Sequence, residues 1–310
     1  MEAQAQFSER TTMDIKDHII CPLCGCNDCK PFMKCTDYKI SHEQFDLAQC
    51  PDCRTVFTQN PPSDNDLENY DRISIRQKLG DRPEGLVSRL YYHVRSIMLP
   101  RKARIVERQA YRSSGTLLNY GAKTGFFSSV MEKRGWNVTS VEKYHEERVF
   151  SLEMFHHRMI DLHEMSLLHE QSFDVITLWH VFEHNRHPGQ LLDRFYSLLR
   201  PNGIMVMACP NISSADALHY GPYWAAYDVP RHLWHFTPES ISNLAGRHGF
   251  TLMHHEALPF DCFYISILSE RHMGHGMAFL RGMAKGLKFW CKSLSKRGQS
   301  SSLVYVFRKK

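Results

Sequence analysis

The chain has 310 residues, with 38 Lys or Arg against 33 Asp or Glu and a formal net charge of +5, a length sufficient for about two domains. Residues 1–270 carry 28 basic against 33 acidic side chains, whereas the last forty carry ten basic and none acidic, so an acidic body precedes a basic tail. No stretch approaches the roughly 18 apolar residues of a membrane span, and the first twenty residues lack the apolar run of a secretory leader, which points to the cytoplasm.

In a reducing compartment cysteines serve as metal ligands or buried thiols rather than disulfides, and seven of the ten fall between Cys21 and Cys53. Cys21-Pro-Leu-Cys24 and Cys50-Pro-Asp-Cys53 are two Cys-x-x-Cys knuckles separated by 25 residues. Each offers two thiolates from one tight turn, and together they complete the four-sulfur shell of structural zinc. Residues 1–62 are therefore assigned to a zinc ribbon with Cys21, Cys24, Cys50 and Cys53 as ligands, while Cys26, Cys29 and Cys35 remain alternatives. A closed shell of this kind leaves no open position for catalysis. Asn60-Pro61-Pro62-Ser63 reads as a rigid exit. Residues 63–112 read as a helical linker or cap, with Leu86, Leu90, Val94 and Met98 at a spacing of four facing the main domain.

Residues 113–310 alternate strands and helices. Thr116–Tyr120 is a short apolar strand that ends at the glycine turn Gly121-Ala-Lys-Thr-Gly125, and Phe126–Arg134 follows as a helix. Such a turn places backbone N–H groups and a helix N-terminus where a polar cofactor end can sit. The next strand, Asn137–Val141, ends at Glu142, a carboxylate placed to accept from ribose hydroxyls. Strands at Phe173–Trp179 and Gly203–Ala208, a helix at Pro188–Leu199, a helix at Pro238–Arg247, and strands near Phe250–His255 and Leu303–Phe307 complete the alternation. The pattern predicts an α/β, Rossmann-like doubly wound sheet.

The ordered segments Leu117-Leu-Asn-Tyr-Gly-Ala-Lys-Thr-Gly-Phe126, Val141-Glu142, Phe173-Asp-Val-Ile-Thr-Leu-Trp-His-Val-Phe-Glu-His184 and Leu198-Leu-Arg-Pro-Asn-Gly203 resemble the motifs of class I S-adenosylmethionine-dependent methyltransferases, most closely the branch of ubiquinone-pathway O-methyltransferases. The preceding ribbon is similar to the arrangement in sugar C-methyltransferases. The resemblance implies seven strands with the last antiparallel, and S-adenosylmethionine as cofactor. It also implies that Gly121 and Gly125 shape the methionine loop, Glu142 holds the ribose, Asp161 or Leu162 lies beside the adenine, and Trp179 and His180 end the fourth strand near the sulfonium. The sequence departs from the family's pattern at Asn119, where an acid is usual, and at Lys123, the usual middle glycine. At Asn119 the cofactor's amino group would meet a neutral acceptor.

The segment from Pro210 to Pro238 is long, aromatic and rich in titratable groups, a profile of functional loops. His232 or His235 is the expected general base on an acceptor hydroxyl, oriented by Asp228. Arg231, Tyr223, Trp224, Tyr227, Glu183 and His184 are the expected acceptor contacts. Residues 271–297, read as one helix, separate an apolar arc from a basic one, the pattern of a peripheral contact with an anionic membrane. The expected function is methyl transfer to oxygen or carbon of a small, nucleotide-linked or lipid-linked acceptor, sugar or quinol in type. An RNA-methylating enzyme and a non-catalytic binding domain are the competing readings, and the acidic body weighs against nucleic acid.

Overall fold

A computed structural model describes residues 19–70 and 86–310. In the N-terminal region β1 (Lys30–Thr36), β2 (Gln44–Gln49) and β3 (Val56–Thr58) form an antiparallel meander. Its fourth strand is β8 (Trp234–His235), donated from the middle of the expected acceptor loop and paired Val56↔His235 and Phe57↔Trp234. A helical segment, α1 (64–70), follows the Pro-Pro exit. The helix α2 (Leu86–Ala110) then leads to the main sheet. Leu86 and Leu90 of the expected apolar stripe lie outside the described side chains, while Val94 and Met98 pack against the sheet.

The main sheet comprises β4 (Thr116–Tyr120), β5 (Asn137–Val141), β6 (Phe173–Trp179), β7 (Leu199–Pro210), β9 (Phe250–Ala257) and β10 (Ser302–Lys309), in the order β5-β4-β6-β7-β10-β9. Pairing is parallel up to β7, and β10 lies antiparallel to both its neighbours. Among the described residues six strands stand where seven were expected. The missing one is reduced to a single parallel bridge between Ile160 and Val141. Only five residues separate His156, which ends α4 (His145–Phe155) in a left-handed conformation, from Leu162, which opens α5 (Leu162–Ser166). That span is too short for a further ladder.

Both faces of the sheet are covered, as parallel strands require. Side chains alternate between two cores, as the period of two dictates. Ile204, Val206, Val304 and Val306 join α2 and α3 (Phe126–Lys133) on one face. Met205, Met207, Tyr305 and Phe307 join α6 (Pro188–Leu198) and α8 (Pro238–Arg247) on the other. Between β9 and β10 the chain forms α9 (Asp261–His272) and α10 (Ala278–Ser295), not one helix over 271–297. The break falls where Gly274 and Met277 adopt positive φ. β9 and β7 both run antiparallel to β10, with Ala257 and Cys209 both opposite Leu303, so β9 ends at the same edge of the sheet as β7 and α9 starts at its mouth.

Candidate metal centre and active site

The Sγ atoms of Cys21, Cys24, Cys50 and Cys53 lie within 4.8 Å of one another. Cys21 and Cys53 are 3.6 Å apart, and Cys24 and Cys50 3.5 Å. Those separations are close to the edge of about 3.8 Å expected for a sulfur tetrahedron around zinc with Zn–S bonds of about 2.3 Å. Each knuckle closes through a backbone bond, Gly25 N–H to Cys21 O and Arg54 N–H to Cys50 O, and Gly25 and Arg54 take positive φ. The cluster is compatible with structural zinc. Cys26, Cys29 and Cys50 also converge, so the alternative ligands noted from sequence lie beside the same centre.

At the strand ends, Gly121 and Gly125 have φ of 66° and 81°. A Cβ on Gly121 would stand 2.5 Å from the Val181 methyls, and one on Gly125 2.4 Å from Ser151 Oγ. Lys123, at φ 50°, also turns left-handed. Its N–H donates to Glu142 Oε2 at 2.7 Å and its Nζ to the His180 carbonyl at 3.4 Å. Glu142 is buried at the end of β5 and accepts a second bond from Tyr144 N–H. Asn119 does not reach the mouth. Its Nδ2 donates to Ser128 Oγ and its Oδ1 accepts from Thr177 Oγ1, so the amide joins α3 to the sheet. The Asp161 carboxylate caps α5 by accepting from Glu164 N–H. Leu162 instead borders an open cavity of about 290 Å³ with Tyr120, Met165, Asn185 and Leu191.

His180, at φ 56° after β6, lies between two carboxylates, with Nδ1 3.6 Å from Glu183 Oε1 and Nε2 3.3 Å from Asp261 Oδ2. Burial opposes its charge, but the hydrogen bonds to Asp261 and Glu183 win and raise its pKa. Burial likewise pushes the Glu183 carboxyl up, yet the contact with His180 outweighs it and brings it down to about 2. Lys102 of α2 sits over the Trp179 ring, 4.5 Å from its centroid. Burial lowers its pKa to about 8, against the pull of Asp261.

On the acceptor side, His232 Nδ1 lies 2.9 Å from the Ala226 carbonyl, a contact satisfied by an Nδ1–H donor. Nε2 is then the lone-pair nitrogen, 4.0 Å from Glu183 Oε1 and 3.9 Å from Asp228 Oδ2. Burial lowers its pKa, so the ring is neutral and basic at Nε2. His184 stacks edge-on against it at 4.6 Å, and burial lowers its pKa to about 3. Glu183, His184 and His232 together could hold a metal ion.

His235 is placed elsewhere. Thr58 Oγ1 donates to the His232 carbonyl at 2.9 Å and lies 3.1 Å from His235 Nε2. A hydroxyl has one hydrogen, so His235 must donate at Nε2, and the ring is consumed in the seam with the ribbon. Trp224 and Tyr227, expected to wall the pocket, are 1% and 3% exposed. They pack with Cys35, Leu47 and Val56 of the ribbon and with Phe289 of α10, and Trp224 Nε1 donates to Asp216. Tyr223 stays half-exposed near Tyr38. Arg231 is buried and pairs with Asp228, which also binds Lys39 at 2.7 Å. Lys39, Thr58, Lys102 and Asp261 escaped the sequence reading because no local motif marks them.

A family model described as a methyltransferase domain matches residues 92–255, more than half of the chain. The chain belongs to that methyltransferase family. A ubiquinone biosynthesis O-methyltransferase of Psychrobacter arcticus is 26% identical over 104 residues, 31% of this chain and 40% of that protein. One from Psychrobacter cryohalolentis matches to the same extent, so the chain spans about 40% of the length of these curated relatives. Among solved structures, one described as a sarcosine dimethylglycine methyltransferase from Galdieria sulphuraria aligns at a TM-score of 0.52 and 14% identity, covering 78% of this chain and 98% of that one. The Burkholderia thailandensis 1,6-didemethyltoxoflavin-N1-methyltransferase, solved with its substrate and S-adenosylhomocysteine, aligns at 0.50 and 15%, covering 84% and 98%. These likenesses show the methyltransferase fold.

The methyltransferase cofactor S-adenosylmethionine fits the residues present. The buried Glu142 accepts only two backbone N–H groups and keeps lone pairs for hydroxyl donors, and the buried Trp179 Nε1 has no hydrogen-bond partner among the described residues.

Proposed function

We propose that this chain transfers a methyl group from S-adenosylmethionine to an oxygen or carbon of a small, nucleotide-linked or lipid-linked acceptor of sugar or quinol type. The observation that carries the reading is the convergence, at the ends of β4 to β7, of the Gly121–Gly125 turn and Glu142 with the neutral His232. When bound, S-adenosylmethionine supplies an electrophilic methyl carbon. Glu142 would accept from the ribose hydroxyls, and Leu162 would lie against the adenine. His232 Nε2 would take the proton of an acceptor hydroxyl, with the Ala226 carbonyl holding the ring and Glu183 and Asp228 stabilising the resulting cation. Lys102 and His180 would bind an anionic acceptor group at the same mouth. Direct displacement needs alignment above all, and the buried Trp224 and Tyr227 would supply it by holding the loop still. The four cysteines would hold zinc as a brace. The test is incubation of the full chain with methyl-labelled cofactor and separate lipid, small-molecule, nucleotide-sugar and RNA extracts. Label in a non-protein product supports the reading, and label in RNA or in no fraction contradicts it.

A further inference from the structure

The helix α10 buries the face that its composition would least suggest. At about 100° per residue, Gly282, Gly286, Phe289 and Ser293 fall on one side, and these are its buried residues. A Cβ on Gly282 would come 2.4 Å from Ile267 Cα, and one on Gly286 2.8 Å from Phe263 Cα, so the glycines let α10 lie backbone-close on α9. The opposite side carries Leu280, Ala284, Leu287, Cys291 and Leu294, in alternating steps of four and three, and Met277 precedes them at the N-cap. All are exposed, with Met277 at 75%, Leu280 at 63%, Leu287 at 51% and Leu294 at 63%. From Leu280 to Leu294 this stripe runs about 21 Å along the helix. Lys288 and Lys292 border it on one side and are exposed, and no acid occurs between Arg271 and Lys310.

We infer that α10 is a docking helix for an anionic lipid surface, lying flat with the leucine stripe in the acyl boundary and the lysines among acidic headgroups. An apolar stripe bordered by lysines complements a lipid surface that is apolar below and anionic above. A second copy of the chain is a poorer fit, because two such helices would bring like charges together. Among the described residues no helix is long and apolar enough to cross a membrane, so attachment through α10 is peripheral. The antiparallel contact of α10 with α9 sets its lysine-rich end toward Asp261, which meets His180 at the site. Docking therefore turns the mouth toward the membrane plane.

The test uses the full chain and needs neither cofactor nor acceptor, so its outcome is independent of the proposed reaction. Flotation is measured with phosphatidylcholine vesicles and with vesicles containing about one-quarter phosphatidylglycerol, at low and high salt. The chain should float with the anionic vesicles only. Leu280→Asp with Leu287→Asp should weaken binding by more than tenfold, and Lys288→Ala with Lys292→Ala by roughly tenfold or more. These side chains are exposed, and unchanged thermal melting and zinc content would verify intact folding. No flotation on any vesicle, or flotation unchanged in the leucine variant, overturns the proposal. So does a dimer in light scattering that the leucine variant alone dissolves, since the stripe would then be a protein interface.

Discussion

Thr58→Val separates the ribbon from the acceptor loop at one atom. Thr58 Oγ1 serves both the His232 carbonyl and the His235 imidazole, and its backbone N–H donates to the Leu233 carbonyl. Leu233 N–H in turn donates to the Glu183 carbonyl, so a chain of bonds runs from the ribbon into the site. Valine keeps the shape and the backbone bond but leaves a buried carbonyl and a buried ring N–H unmatched. At about 1–3 kcal/mol for each orphaned group, the variant should be less stable by roughly 2–6 kcal/mol in urea unfolding followed by tryptophan fluorescence. Methyl transfer should fall with it through displacement of His232, visible as a lower kcat with little change in KM for the cofactor. A stability loss below about 0.5 kcal/mol would show that the seam does not hold the loop and would refute the reasoning.

Four further predictions follow from the same geometry. Changing Cys21 or Cys53 to Ser should remove the zinc from protein purified without chelator, as read by metal analysis, and lower the melting temperature; a variant that keeps its zinc would move the site toward Cys26, Cys29 and Cys50. Gly125→Ala, forced into positive φ and against Ser151 and Met159, should cost roughly 2–4 kcal/mol and abolish cofactor binding; unchanged calorimetry would contradict the turn's role. His232→Gln should reduce kcat by about 10²–10⁴-fold for a hydroxyl acceptor, and equal turnover would remove His232 as base. Burial pushes the Asp228 carboxyl up, but Lys39 and Arg231 outweigh it and hold it well below the usual range. A depressed carboxyl contributes stability that is present above the unfolded value of about 4 and lost as pH falls through the folded value. The stability gap between the chain and Asp228→Asn should therefore be full at pH 6 and shrink below pH 4; a gap constant to pH 3 would contradict the ion pairs.

Local chemistry made part of this structure legible. The paired knuckles, the strand, glycine turn and helix at residues 116–133, and the β5 end at Glu142 each depend on neighbours close in sequence. The remainder depends on pairings across the chain. β8 is only two residues long and has no periodicity of its own, so nothing local predicted that it would complete the ribbon's sheet 177 residues from Thr58. Trp224 and Tyr227 read as pocket walls because aromatic loops often are; the ribbon, α9 and α10 pack around them, and they line a small cleft with Lys39, Asp228 and His272. Gly282 and Gly286 would weaken an isolated helix, yet they are the contact that lets α10 lie on α9 and leave its leucines outward. Asn119 departs from the family pattern without creating a hole, since Ser128 and Thr177 absorb both ends of its amide.

Titration calorimetry of the full chain with S-adenosylmethionine and S-adenosylhomocysteine tests the central claim most directly. One molecule of each should bind per chain, and Gly125→Ala should abolish both. No heat from either ligand at millimolar concentration, with zinc present and the chain folded, would contradict the account.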